Sequence, residues 1–187
     1  MPDVVALVRD AQKGDLSAFA ALYDHYFDRV YRYVVARVGN SHEAEELTQD
    51  VFLKVMQALP SFRFRGPPFA AWLFRVAHNV VVDRVRRRKA SGESVPLEDA
   101  GDIPHAGNVE ATAMQSLDVQ ELHRALQRVT ELQRQVVLLR FIAGLSLAET
   151  AAAMRRNENA VKALQHSALN ALRRILVPIS GDVEVEE

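Results

Sequence analysis

Nearly every apolar residue in this chain recurs at a spacing of three or four, and no stretch alternates apolar with polar residues as a strand would. That period leaves helices as the building material. Phe19, Leu22, Tyr23, Tyr26, Phe27, Val30, Tyr31, Val34, Val35 and Val38 form one long stripe, which Gly39-Asn40 breaks. Ser41 is placed to cap a second helix, striped by Ala44, Leu47, Val51, Phe52, Val55 and Leu59 and stopped by Pro60. After a Gly66-Pro67-Pro68 turn, a further helix buries Phe69, Trp72, Leu73, Val76 and Val80. Residues 3–89 therefore read as one domain of about four helices.

Residues 90–115 have no clear period and are rich in Gly, Pro, Ser, Ala and acids, as an interdomain linker would be. Helical spacing returns with Leu117, Leu122, Leu126 and Val129. Three pairs have capping-box spacing: Asp118 with Glu121, Thr130 with Gln133, and Ser146 with Glu149. The second opens a helix carrying Val136, Val137, Leu139 and Phe141, which Gly144 ends. The third opens a short helix through Met154. A last helix starts near Asn157 or Glu158 and runs to about Val177, with Val161, Leu164, Ala168, Leu172 and Ile175 as its buried stripe. The expected fold is all-α: two small helical domains, 3–89 and 116–177, joined by a flexible acidic linker and followed by an acidic tail, 178–187.

Composition narrows the function classes. With 187 residues, 49% of them hydrophobic, the chain has material for packed cores. No apolar run is long enough for a membrane span and no signal peptide opens the chain, so a cytoplasmic protein without membrane insertion is expected. There is no cysteine, which excludes disulfides and thiolate zinc sites. The six histidines are scattered, and no HExxH, Gly-rich phosphate loop or nucleophile elbow is present. Neither an enzyme, a metal nor a cofactor is expected. The net charge of -1 argues against coating DNA by bulk electrostatics, but the charge is segregated. Residues 84–89 and 155–176 are basic, 41–50 acidic, and 91–116 acidic without a Lys or Arg.

Three constellations carry chemistry. The first is 146–176, where a short capped helix, a polar turn and a longer helix with a basic end make a helix-turn-helix. Its exposed early positions, Glu158, Asn159, Lys162, Gln165 and His166, would face base edges in a major groove, while Arg155, Arg156, Arg173 and Arg174 would meet phosphates or water. The second is Glu46, Gln49 and Asp50, spaced to form one acidic-polar patch opposite the apolar stripe; taken alone, such a patch is better read as a solvated helix face. The third is 63–89, where eight Lys/Arg stand against one acid, Asp83, with Phe64, Phe69, Trp72 and Phe74 interleaved. Arginines neutralise phosphates, and aromatic rings stack on bases that have left a duplex. Arg75, His78, Asn79, Val82, Asp83 and Arg86 lie off the core stripe there, and Asn79 suits a base edge.

The order SHEAEELTQDVFLKVMQALPSF, FRGPPFAAWLFRVAHNVVVDRVRRRK, an acidic linker, LQRQVVLLRFIAGLSLAETAAAM and NENAVKALQHSALNALRRI resembles bacterial sigma factors of the compact extracytoplasmic-function type over about 15–176. The resemblance implies a subunit that binds core RNA polymerase and directs promoter-specific initiation. Glu46, Gln49 and Asp50 would meet the clamp helices of the largest subunit. Phe64, Arg65, Trp72, Arg75, His78, Asn79, Asp83, Arg84, Arg87 and Arg88 would hold the opened minus-ten element. The second domain would read the minus-thirty-five element as duplex through Arg155, Arg156, Glu158, Asn159, Lys162, Gln165, His166 and Arg173, and touch the flap of the second subunit. An anti-sigma factor is a further implied partner. The chain departs from the family at Gly66-Pro67-Pro68, where an acid commonly follows the glycine, at Val129-Thr130, and at Ala163-Leu164 and Ser167, where arginines are usual nearby. The alternative reading is a stand-alone helix-turn-helix regulator with a helical sensing or dimerisation domain.

Overall fold

Polar side chains at the helix starts set the frame of the molecule. In the computed structural model, residues 3–92 and 120–176 are described. Asp3 accepts from the amides of Val5 and Ala6 and opens α1 (Val4–Gln12). Asp15 does the same for Ser17 and Ala18 at the start of α2 (Leu16–Val38). Each such cap is worth about 1 kcal/mol. Asn40, one residue before the expected Ser41, caps α3 (Ser41–Ala58) by accepting from the Glu43 amide. A single turn of 3-10 helix, Leu59–Ser61, carries Pro60. Then α4 (Phe69–Ser91) runs two residues beyond the expected domain edge at 89, because nothing before Gly92 opposes the helix and Gly92 adopts the left-handed conformation (φ 70°) that ends it.

In the second half, residues 120–127 form the described part of α5. The expected boxes at Thr130 and Ser146 are both present with reciprocal hydrogen bonds, opening α6 (Glu131–Val137) and α7 (Leu147–Met154). Asn157 accepts from the Ala160 amide at 2.8 Å ahead of α8 (Glu158–Leu176). The box at Asp118, the stripe residue Leu117, most of the linker and the acidic tail lie outside the described residues.

One element departs from the expected period. Past Val137 the chain widens into a π turn, Leu138–Ile142. The wider turn advances the frame, so Leu138 and Leu139 are buried while Phe141, expected on the apolar stripe, is 50% exposed. The core itself is continuous: Leu22, Tyr33, Val51 and Phe74 from the first half and Leu126, Leu139, Leu145 and Val161 from the second belong to one buried cluster. Within it α2 packs on the π turn and α4 packs on α7.

Candidate nucleic-acid interface

On α3 the apolar stripe turns inward, with Ala44, Leu47, Val51 and Val55 almost fully buried. The opposite face carries Glu46, Gln49 and Asp50, all exposed. Leu53, 49% exposed, and Met56, 44% exposed, continue that face. Sequence reasoning missed these two, since it followed the polar side chains Glu46, Gln49 and Asp50. The available signal was the failure of Leu53 and Met56 to fit the buried stripe. Exposed apolar residues at the end of an acidic patch are a feature that partner-binding surfaces share.

The next helix fastens to this face through its basic end. Arg84 reaches Glu43 at 3.2 Å and Glu46 at 3.5 Å, and Arg88 reaches Glu43 at 2.6 Å. Two of the arginines expected at nucleic acid are thus partly neutralised by α3. Arg87 is exposed with no ion pair among the described residues, and Asn79 and Asp83 are exposed on the same helix. His78 does not lie on that outer surface. Its Nδ1 is 3.2 Å from the Tyr33 hydroxyl. Burial first, then the positive charges of Arg37 and Arg86, hold its pKa below the usual imidazole range. Arg75 also turns away from solvent, donating to the Ala152 carbonyl at 2.6 Å and the Ala153 carbonyl at 3.4 Å at the end of α7.

The aromatic residues gather before and at the start of α4. Phe62 meets Phe64 edge-on at 5.3 Å, Phe69 at 5.7 Å and Trp72 at 5.1 Å between ring centroids. Phe62 and Phe69 are buried; Trp72 is half-buried; Phe64 is 40% exposed and lies under the Arg9 guanidinium at 5.3 Å. Arg65 is exposed in the loop between them. The loop, with Tyr26, His25 and Arg29 of α2 and Glu149 of α7, borders a cleft of about 560 Å³. Aromatic walls with cations near the rim offer stacking surface and phosphate attraction together.

The helix-turn-helix is present as expected. Arg155 ends α7 in the left-handed region (φ 53°), which Gly favours over Arg. Arg155, Arg156, Glu158, Asn159, Lys162, His166 and Arg173 are exposed. Gln165 is half-buried, and its side-chain oxygen accepts from the Arg140 Nε at 3.1 Å. His166 shares a hydrogen bond with Asn170 at 3.0 Å. Among the described residues no group of His, Cys, Asp and Glu could hold a metal ion, and no helix is long and apolar enough to cross a membrane.

Comparison with known proteins decides the family. Sigma-70 region 2 matches residues 22–91, and Sigma-70, region 4 matches residues 125–174. The ECF RNA polymerase sigma factor SigK of Mycobacterium ulcerans is 32% identical over 176 residues, covering 93% of this chain and 94% of that protein. The chain belongs to the ECF RNA polymerase sigma factors. BldN of Streptomyces coelicolor, another ECF sigma factor, is 39% identical over 178 residues, covering 92% of this chain and 66% of that longer protein. The fold is shared with CnrH in its solved complex with the cytosolic domain of CnrY: the TM-score is 0.67 at 23% identity, over 91% of this chain and 95% of that one. As a sigma factor it is a transcription initiation factor that binds RNA polymerase and promoter DNA. The stand-alone regulator is not favoured.

Proposed function

We propose that the two faces of the first domain divide the work of initiation. The observation that carries this reading is their placement: an acidic-apolar face on α3 and a basic-aromatic face on α4, tied back to back through Glu43, Arg84 and Arg88. Glu46, Gln49 and Asp50, joined by Leu53 and Met56, bind the clamp helices of the largest polymerase subunit. Phe64, Arg65, Trp72, Asn79, Asp83 and Arg87 hold the separated minus-ten strand, with Arg84 and Arg88 linking the two faces. Arg75 and His78 face inward in the closed molecule, so Arg75 reaches DNA only if α7 leaves it, and His78 supports α4 from beneath.

The second domain reads duplex DNA at the minus-thirty-five element through Arg155, Arg156, Glu158, Asn159, Lys162, His166 and Arg173, and contacts the polymerase flap. Gln165 positions Arg140. Domains 3–89 and 116–177, the linker 90–115 between them and the tail 178–187 are part of this proposal. The protein acts in the cytoplasm, without catalysis of its own, and an anti-sigma factor is its proposed regulator. The test is a pull-down with core RNA polymerase followed by run-off transcription on a library of upstream sequences. Specific initiation that depends on the chain supports the assignment. A chain that leaves core polymerase unable to initiate on every template removes it.

A further inference from the structure

The outer face of α8 carries more than the reading of a duplex uses. In a helix-turn-helix the early residues of the second helix approach base edges. Leu169 and Leu176 stand in the later half of α8, yet they are 42% and 49% exposed. Lys162 and Arg173, also exposed, share their side of the helix. At about 100° per residue, the two leucines line one flank of this stripe and the two cations the other. Lys162 and Arg173 form no ion pair among the described residues. Glu158, in the first turn, is the only acid of α8. Phosphate oxygens can satisfy the cations, but they offer nothing to the leucines beside them.

The chain itself supplies a segment of the complementary kind. Beyond α8 it continues as VPISGDVEVEE, outside the described residues. Asp182, Glu184 and Glu186 alternate there with Val183 and Val185, Glu187 follows, and no cation interrupts them. An extended backbone sends alternate side chains to opposite sides, so one edge is acidic and the other apolar. Those edges match the cationic and leucine flanks of α8. The lengths agree as well: Lys162 and Arg173 are roughly 17 Å apart along the helix axis, and residues 182–187 in extended form cover about 20 Å. We propose that residues 182–187 fold back along the later half of α8 and compete there with DNA phosphates, lowering the affinity of the second domain for duplex. Pro178 ends the helix, and Gly181 gives the backbone freedom to reverse. Exposed ion pairs are weak singly, but a short tether holds the segment at an effective concentration in the millimolar range. The inference rests on the reading of α8 as the duplex-binding helix, and its first test uses neither DNA nor polymerase.

The chain has no cysteine, so Glu187→Cys places a single nitroxide spin label on the full-length protein. Amide signals from Lys162 to Arg173 should lose more than half their intensity, and reducing the label should restore them. Leu169→Ser leaves the net charge unchanged and should recover at least half of the lost intensity. Fluorescence anisotropy with a labelled duplex at low salt then reads the competition. Asp182→Asn, Glu184→Gln, Glu186→Gln and Glu187→Gln together should tighten binding at least fivefold, and Leu169→Ser alone about twofold. A gain in the neutral tail with none in Leu169→Ser is bulk electrostatics and overturns the contact. Broadening confined to the last turn of α8, centred on the basic end of α4, or equally strong when the label sits on a separate chain also overturns it. Each of these failures leaves the sigma-factor reading in place. Initiation by core polymerase that ignores the upstream duplex with either tail overturns the reading of α8, whatever the label shows.

Discussion

Single residues on α3 and α4 separate the two proposed tasks. Asp50→Arg with Gln49→Ala alters only exposed positions, so the thermal melt should be unchanged. Charge reversal at a complementary interface costs about 2–5 kcal/mol, enough to remove detectable association in a core-polymerase titration. Asn79→Ala should likewise spare stability. A base contact is worth about 1–3 kcal/mol, so open-complex formation should drop roughly five- to a hundredfold. Permanganate footprinting on paired and pre-mismatched templates would show whether the loss lies in melting or in reading. Asn79 was legible in the sequence because it falls off the apolar stripe. His78 sits one position earlier and was misplaced, because half-burial beneath Tyr33 leaves no mark in the period.

At the scale of elements, two half-buried histidines, His78 beside Tyr33 and His123 beside Ala36, give stability a pH dependence. Burial, the Ala36 carbonyl, Arg134 and Arg37 surround His123; burial is the largest influence and the pKa is lowered. Burial, Arg37 and Arg86 lower that of His78, with Glu131 opposing. A base whose pKa falls on packing binds fewer protons packed than free. Its contribution is therefore complete above the ordinary imidazole value of 6.5 and is lost as pH falls below it. The melting temperature should drop between pH 7.5 and 5.5, and His123→Gln should flatten that dependence. The helix starts at Thr130, Ser146 and Asn157 were legible because such side chains cap by local geometry, whereas the Asp3 and Asp15 caps were not named and Asn40 stands where Ser41 was expected. The π turn was not, since Leu138–Ile142 contains the same residue types as an α-helix and only packing selects the wider turn.

For the whole molecule, the all-helical class and the helix-turn-helix were readable from spacing alone. The docking of the two halves was not, because arginines perform it. Arg29, Arg37 and Arg75 stand at positions that periodicity assigns to water, and their acceptors are mostly backbone carbonyls, which every residue has. A closed, slightly negative molecule should bind duplex DNA weakly on its own. Fluorescence anisotropy with a labelled duplex should show at most micromolar affinity that vanishes as salt is raised to physiological levels.

Arg155 holds a backbone angle that glycine adopts more easily. A left-handed residue that is not glycine costs about 1–2 kcal/mol. Under a demand for folding alone, this position would drift toward glycine. Arg155→Gly should therefore raise the melting temperature while weakening promoter binding, and a screen for heat resistance should recover it only when transcription is not also required. Arg155 thus sets the cost of a left-handed turn against a side chain proposed to meet the promoter.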